Sequence, residues 1–190
     1  MKQAYFNWSS GKDSALALHK ALLSGKYNIH TLFTVVNGSE DCVSLHKVSA
    51  ELLERQAYSI GIPLFLMRTE SDESIKEYKV RMERHLGRMK AQGVDTALFG
   101  DIYLDEVRSM REKNFENTGV TAEFPLWNMN VAEIMREFID EGFKAVITSV
   151  DCFVLDDRLL GRVIDRDFIR NFPIGADLCG ENGEISFICF

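Results

Sequence analysis

The residue types best suited to binding phosphate form one short segment, Ser9, Ser10, Gly11, Lys12, Asp13 and Ser14. Serine hydroxyls and the Lys12 ammonium donate hydrogen bonds to anions, and Gly11 lacks the Cβ that would keep a phosphate away from the backbone. An apolar, aromatic run precedes the segment and apolar residues at helical spacing follow it, which predicts a turn from a strand into a helix. Because the first N–H groups of a helix have no partners inside it, the backbone at this turn also favours an anion.

This segment is not one of the common nucleotide-binding motifs. In the phosphate loop G-x-x-x-x-G-K-[ST], Ser or Thr follows the lysine, whereas Asp13 follows Lys12 here and the first glycine of the motif is absent. The dinucleotide motif G-x-G-x-x-G is absent as well. A simpler interpretation is that Ser10 caps a surface helix and that Lys12 is solvated.

Arginines and acids follow a second apolar run, which ends in Gly100 and Asp101. The pattern over 103–118 is helical, and on a helix Arg108, Arg111 and Glu112 share one face. Two arginines there could hold a carboxylate or a pyrophosphate through forked hydrogen bonds. Alternatively, Arg108 and Glu112 could form an ordinary surface ion pair.

Two aspartates and a histidine have more than one interpretation. Asp13 and Asp101 could each bind Mg²⁺ through the carboxylate, or could cap the helix that follows. His46 lies at the start of a helix predicted over 45–59, where a neutral imidazole could contact substrate or carry a proton. A lone histidine is more often structural.

Glycines and acids are concentrated at 175–184, just before a last predicted strand at 185–190. Such a loop can close over a ligand, and its acidic side chains could bind a metal, an ammonium ion or an amine. The alternative is a solvated turn whose glycines adopt positive φ. The candidate residues in this tail are Asp177, Gly180, Glu181 and Glu184.

Apolar runs typical of buried strands alternate with helical patterns along the chain. Strands that alternate with helices pair in parallel through right-handed crossovers, so we expect a doubly wound α/β fold. The strand predicted at 144–150 is expected to pair in parallel as well. The ligand crevice of such a sheet lies beyond the carboxyl ends of its strands, where the segment at 9–14 also lies. The pattern changes after Asp151, which predicts a principal domain at 1–151 and a small C-terminal subregion at 152–190.

Composition limits the classes of partner. The chain has 190 residues and a net charge of −7, and a charge of this sign makes nucleic-acid binding unlikely except through a local basic patch. Its apolar runs are far shorter than a membrane span, and the N-terminus lacks the pattern of a signal peptide, so we expect a cytoplasmic protein. The four cysteines are scattered, which suits neither a disulfide framework nor a metal site.

Four motifs in the same order resemble one family. Positions 9–14 resemble the S-G-G-K-D-S signature of the PP-loop ATP pyrophosphatases, with Ser10 in place of the first glycine. The others are G-D-I at 100–102 with R-x-x-R-E after it, F-P-L-W at 124–127, and D-L-C-G-E-N-G-E at 177–184. Together they resemble the diphthine–ammonia ligase family, which belongs to the N-type ATP pyrophosphatases of the adenine nucleotide α-hydrolase-like superfamily. The resemblance spans nearly the whole chain.

The resemblance implies ATP-dependent amidation. Mg-ATP adenylates a carboxylate, pyrophosphate leaves, and ammonia converts the adenylate into an amide and AMP; in the ligase, the carboxylate belongs to diphthine on translation elongation factor 2. The segment at 9–14 would hold the phosphates, with Gly100 and Asp101 bordering the nucleotide and Asp13 and Asp101 as candidate Mg²⁺ ligands. The candidate catalytic residues are Lys12, Asp13, Arg108 and Glu112. The candidate substrate-binding residues are His46, Arg111, Asp177, Gly180, Glu181 and Glu184.

One departure from the family and two competing functions stay open. Family members often carry an aromatic residue and a histidine after the last glutamate of the tail, where this chain has Ile185 and Ser186. An ATP- or AMP-binding regulatory module of the universal-stress type would share the fold, but usually has glycine motifs that this chain lacks. A PP-loop tRNA-modifying enzyme usually brings a basic RNA-binding domain or paired cysteines. An edge of the sheet or the acidic tail could form a homodimer.

Overall fold

Five parallel strands form the main sheet. The structure is a computed structural model that describes residues 1–43, 48–70 and 73–190. The strands are β1 (Lys2–Asn7), β2 (Tyr27–Asn37), β3 (Leu64–Thr69), β4 (Thr96–Leu98) and β5 (Thr121–Glu123). Their order is β3-β2-β1-β4-β5, and every neighbouring pair is parallel. The strand order therefore reverses between β1 and β4, which is where the ligand crevice of an open α/β sheet forms.

Helices connect the strands and cover both faces of the sheet. They are α1 (Lys12–Leu23), α2 (Ala50–Ile60), α3 (Ile75–Ala91), α4 (Asp105–Asn114), α5 (Val131–Asp140) and α6 (Arg166–Asn171). One apolar cluster includes residues of α1, α2 and α5, and a second packs α3 against the other face through Leu86 and Met89. The predicted doubly wound α/β fold is confirmed.

Two helices begin later than the sequence pattern predicts. The α2 helix starts at Ala50 rather than at 45, because Ser49 is extended and its hydroxyl accepts the N–H of Leu52 as a cap. The sequence pattern also predicts a helix over 72–92, whereas α3 starts at Ile75, after Ser74, which forms a capping box with Glu77. Spacing alone does not show where such a helix begins, because polar residues before the N-cap can fit the same helical pattern.

The strand predicted at 144–150 is not part of the parallel sheet. It is β6 (Ala145–Val150), and it pairs in an antiparallel ribbon with β7 (Ile185–Cys189). The preceding helix α5 packs on α1, with Glu137 accepting a hydrogen bond from Lys20 at 2.5 Å, so the chain does not return to an edge of the sheet. The ribbon instead contacts α1 and the turn before it, where Cys189 donates its N–H to the Ser10 carbonyl at 3.0 Å.

In the described ranges 1–43, 48–70 and 73–190, no helix combines the length and apolar character needed to cross a lipid bilayer. The domain boundary after Asp151 stays a prediction.

Candidate functional site

A cavity of about 730 Å³ lies at the carboxyl ends of β1, β2 and β4. Its wall combines the turn after β1, the loop after β4, one side of α4, the β6–β7 ribbon and the tail loop before β7. Most of the candidate residues meet there, because parallel strands bring their carboxyl ends to one edge of the sheet.

The turn after β1 has the backbone expected of a phosphate-binding segment. Ser10 is fully buried with φ of +72°, a conformation that L side chains rarely adopt, which explains why the resembling signature has glycine at this position. Gly11 is the N-cap of α1, and no side chain caps the helix. The interpretation of Ser10 as a helix cap is therefore wrong. The Ser9 N–H donates to Ser14 Oγ at 3.1 Å, which closes the turn.

Lys12 is buried, not solvated. Its side chain is 1% exposed, and Nζ donates to both carboxylate oxygens of Asp13 at 2.7 and 2.6 Å. Nζ also donates to the carbonyl oxygen of Cys179 at 2.7 Å and lies 4.7 Å from the ring centroid of Phe187. A lysine of the first helix thus contacts the tail loop and the last strand of the chain.

The charges of Lys12 and Asp13 depend on each other. Burial is the largest single influence and opposes the charged ammonium, but Asp13, Cys179 and Glu181 together outweigh it, and the pKa of Lys12 is raised. Burial raises the pKa of Asp13, and Lys12 acts in the opposite direction. Lys12 therefore keeps its positive charge at neutral pH inside a cavity wall. Asp13 is the second residue of α1, not its cap.

Asp101 and Arg111 form a forked ion pair in the cavity wall. Arg111 donates through Nε at 2.8 Å and through Nη2 at 3.3 Å, and its guanidinium lies 4.5 Å from the Phe99 ring centroid. The following helix has Leu104 at its N-cap, so the interpretation of Asp101 as a cap is wrong. Gly100 lets this loop approach α1, because a Cβ there would lie 3.0 Å from the Ser14 nitrogen.

Arg108 and Glu112 do not line the cavity, although both lie within one turn of Arg111 on α4. They form an ion pair at 2.8 Å, with exposed fractions of 37% and 48%. The Arg108 guanidinium lies over the Trp127 ring at 4.7 Å. Of the three residues that helical spacing places together, Arg111 therefore lines the cavity and Arg108 and Glu112 do not.

Asp177 organises the tail loop. Its carboxylate accepts hydrogen bonds from the Tyr103 hydroxyl at 3.0 Å, from the Cys179 N–H at 3.0 Å and from the Glu181 N–H at 2.5 Å. Burial and the Asp177 carboxylate raise the pKa of Tyr103, so the hydroxyl keeps the proton it donates. Gly180 has φ of +75°, and a Cβ there would lie 2.2 Å from the Ile185 carbonyl oxygen. The loop therefore requires glycine at this position.

The two glutamates of the tail have different positions. Glu181 lines the cavity, and the Ile102 N–H lies 3.5 Å from its carboxylate. Burial, reinforced by Asp13, raises the pKa of Glu181 to about 7. Glu184 does not line the cavity; its backbone carbonyl accepts the Asp151 N–H at 2.8 Å, and its Oε2 is buried without a partner in the described chain.

Sequence reasoning missed two residues of the site, and one residue that it predicted lies outside the described ranges. Tyr103 and Phe187 hold Asp177 and Lys12, and no spacing signal could identify them, since they meet their partners only through the fold. His46 lies outside the described residues. Asp13 and Asp101 both line the cavity, and carboxylate oxygens are donors that suit Mg²⁺ bound together with phosphates. Within residues 1–43, 48–70 and 73–190, no group of three or more metal-ligating side chains exists.

Comparison with known proteins gives two family matches and two solved structures of limited similarity. The sequence profile of the diphthamide synthase N-terminal domain matches residues 1–122, and that of its C-terminal domain matches residues 130–190. A predicted tRNA methyltransferase subunit from Methanocaldococcus jannaschii has a TM-score of 0.47 and 18% identity, over 79% of this chain and 80% of its own. The U34-tRNA thiolase NcsA from Methanococcus maripaludis, with its [4Fe-4S] cluster, has a TM-score of 0.47 and 15% identity, over 73% of this chain and 57% of its own. A search of curated proteins gave no significant match.

Proposed function

The chain belongs to the diphthamide synthase family, and on that basis we propose that it is an ATP-dependent ligase that amidates a carboxylate with ammonia. The carboxylate attacks the α phosphate of ATP and displaces pyrophosphate, and ammonia then displaces AMP from the acyl adenylate with release of a proton. The observation that carries the proposal is the meeting of a buried, charged lysine, an arginine fork and a protonatable glutamate around one cavity at the N-terminus of α1.

The N-terminal turn of α1 binds the phosphates in this proposal. The free N–H groups of the turn and the Ser9 and Ser14 hydroxyls supply hydrogen bonds, and Lys12 supplies positive charge where negative charge grows on the α phosphate. An ammonium has three hydrogens, and the contacts to Asp13 and Cys179 occupy them. Lys12 must therefore exchange one of these contacts for a phosphate oxygen when ATP binds.

Asp13 and Asp101 would hold Mg²⁺ together with the phosphates. The ion, when bound, neutralises phosphate charge and makes pyrophosphate a better leaving group. Each carboxylate is held in place by a basic side chain, Asp13 by Lys12 and Asp101 by Arg111.

We assign the binding of the acceptor carboxylate to Arg111. It lines the cavity, and its planar guanidinium presents a fork of donors, part of which Asp101 occupies. Arg108 and Glu112, which lie outside the wall, act on the acceptor only if it extends over the outer side of α4. Following the family, the acceptor we propose is diphthine on elongation factor 2.

Glu181 is the proton acceptor in the amidation step. Its carboxylate faces the cavity, and with a pKa of about 7 it is partly ionised at neutral pH. It takes the proton released when ammonium becomes the nucleophile ammonia.

Cytoplasmic location and a homodimer stay predictions.

Product analysis tests the proposal. The protein is incubated with ATP labelled at the α phosphate, magnesium, ammonium and diphthine-bearing elongation factor 2, and AMP is separated from ADP. Acceptor-dependent AMP that is lost in Lys12→Ala and retained in Lys113→Ala supports the ligase; Lys113 is an exposed lysine outside the cavity. ADP as the sole nucleotide product would contradict it.

A further inference from the structure

A groove lined by arginines runs between the edge strand β3 and helix α3, away from the cavity. It has a volume of about 270 Å³ and shares no lining residue with the cavity. We call it the arginine groove; its basic lining residues are Arg68, Arg81, Arg84 and Arg88, and its other residues are Phe65, Leu66, Met67 and His85. Among the residues that the structure describes, no acidic side chain lines it.

Three of the arginines form a row on one face of α3. Arg81, Arg84 and Arg88 are separated by three and four residues, so they point to the same side of the helix along ~10 Å of its axis. The outer edge of β3 runs along this row, and β3 is the last strand on that side of the sheet. The groove is therefore elongated and lined with basic side chains along its length.

The arginines differ in what they already contact. Arg81 lies 2.9 Å from Glu73 and 3.1 Å from Glu70, and Arg68 pairs with Asp41 at 3.0 Å. Exposed Arg84 and Arg88 have no carboxylate partner anywhere in the described chain, one helical turn apart on the same face. Like charges at this spacing repel each other, and an anion between them removes that repulsion.

A buried imidazole lies in the same groove. His85 is 4% exposed and is stacked on Phe33 and Phe65, with ring centroids 4.2 and 4.7 Å away. Its Nε2 is buried and has no hydrogen-bond partner among the described residues. Burial, reinforced by Arg88, lowers the pKa of His85 to about 4, so the ring is neutral at neutral pH and adds a polar group without a charge.

The local charge of α3 is opposite to that of the whole chain. Six basic and two acidic side chains lie between Ile75 and Ala91, whereas the chain has a net charge of −7. The overall charge makes nucleic-acid binding unlikely except through a local basic patch, and α3 carries such a patch. Arginine guanidinium groups bind phosphate with forked hydrogen bonds and are common at nucleic-acid interfaces.

We propose that the arginine groove binds the phosphodiester backbone of a single-stranded nucleic acid. Arg84 and Arg88 are ~6 Å apart along the helix axis, so each can contact a different phosphate of one strand. Arg68 and Arg81 are already paired with carboxylates, so Arg84 and Arg88 supply the positive charge that is available to phosphate. The half-buried Phe65 at the same groove offers an aromatic side chain to an unstacked base.

Fluorescence anisotropy with a labelled single-stranded RNA octamer tests the proposal. The full chain binds the octamer, and the logarithm of the binding constant falls linearly with the logarithm of the salt concentration. Replacing both free arginines, Arg84→Gln with Arg88→Gln, weakens binding by about tenfold or more and lowers the magnitude of that slope by about two. Arg84→Lys with Arg88→Lys keeps the charge and retains most of the slope.

Arg136→Gln is the matched control, because Arg136 is also an exposed helical arginine without a carboxylate partner in the described chain, but lies on α5. It leaves the affinity unchanged, and ATP binding is retained in every variant, since the groove and the cavity share no residue. Three results would overturn the proposal: no binding by the unmodified chain at low salt, an equal loss in Arg136→Gln, or preferential binding of polyglutamate of matched charge.

Discussion

The ammonium of Lys12 donates a hydrogen bond to the carbonyl oxygen of Cys179 at 2.7 Å, and so joins the first helix to the tail loop 167 residues later. The same ammonium contacts both carboxylate oxygens of Asp13. The position of the lysine therefore depends on how the tail folds, because the Cys179 carbonyl of the tail loop accepts one of its hydrogen bonds.

Replacing Lys12 tests the charge at the phosphate-binding turn. In Lys12→Ala, the rate of AMP formation falls by about 100-fold or more, because the growing charge on the α phosphate loses a buried cation. Single-turnover kinetics with labelled ATP measure this rate. Lys113→Ala serves as the control, and an unchanged rate in Lys12→Ala would remove the lysine from the mechanism.

Gly180→Ala disturbs the tail loop that holds Lys12. The new Cβ would lie 2.2 Å from the Ile185 carbonyl oxygen at a residue with φ of +75°. We expect the free energy of unfolding to fall by ~2 kcal/mol or more, measured by urea denaturation. Gly175→Ala is the matched control, since Gly175 has φ of +99° and open space around its Cβ position. It shares the backbone strain of about 1 kcal/mol but not the clash, so equal losses in both variants would show that the contact with Ile185 is unimportant.

Glu181 makes stability depend on pH in a defined window. Its pKa is raised from 4.5 to about 7, so the folded state binds a proton that the unfolded state releases between these values. The stabilisation is complete below pH 4.5 and is lost as the pH rises through 7. Relative to Glu181→Gln, the unmodified chain loses about 1 kcal/mol between pH 5 and 8 after allowance for solvent screening. Urea denaturation at several pH values measures it, and identical profiles for the two proteins would contradict the raised pKa.

Arg111 and Arg108 are predicted to respond differently to the same substitution. Arg111→Lys keeps the charge but loses the fork, so the KM for the acceptor rises by about tenfold or more. Arg108→Lys leaves that KM within about twofold, because Arg108 lies outside the cavity and its pair with Glu112 is exposed. Steady-state kinetics with varied acceptor distinguish the two, and a larger effect at Arg108 would move the acceptor site to the outer side of α4.

Local patterns predict the part of the site that is local in sequence. The turn at 9–14 lies between a strand and a helix that each have clear apolar periods, so its place at the carboxyl edge of the sheet follows from the sequence. Spacing also places Arg108, Arg111 and Glu112 together on α4. It does not say which side of the helix faces the cavity, because that depends on how α4 packs.

Contacts between distant segments could not be predicted in this way. An irregular region of short helices separates β6 from β7 in the sequence. Neither strand has a sequence pattern that indicates which strand it pairs with. The contact between Lys12 and Cys179 depends on that ribbon. The signature at 177–184 thus predicts that the tail belongs to the site, but not that it holds the lysine.

Exchange of labelled pyrophosphate into ATP tests the central claim most directly, because it reports adenylate formation without the amidation step. The protein is incubated with ATP, magnesium, labelled pyrophosphate and diphthine-bearing elongation factor 2 in the absence of ammonium. We predict label in ATP that depends on the acceptor and is lost in Lys12→Ala. Amide formation from added ammonium without any acceptor-dependent exchange, or exchange that is unchanged in Lys12→Ala, would contradict the proposed adenylation at this cavity.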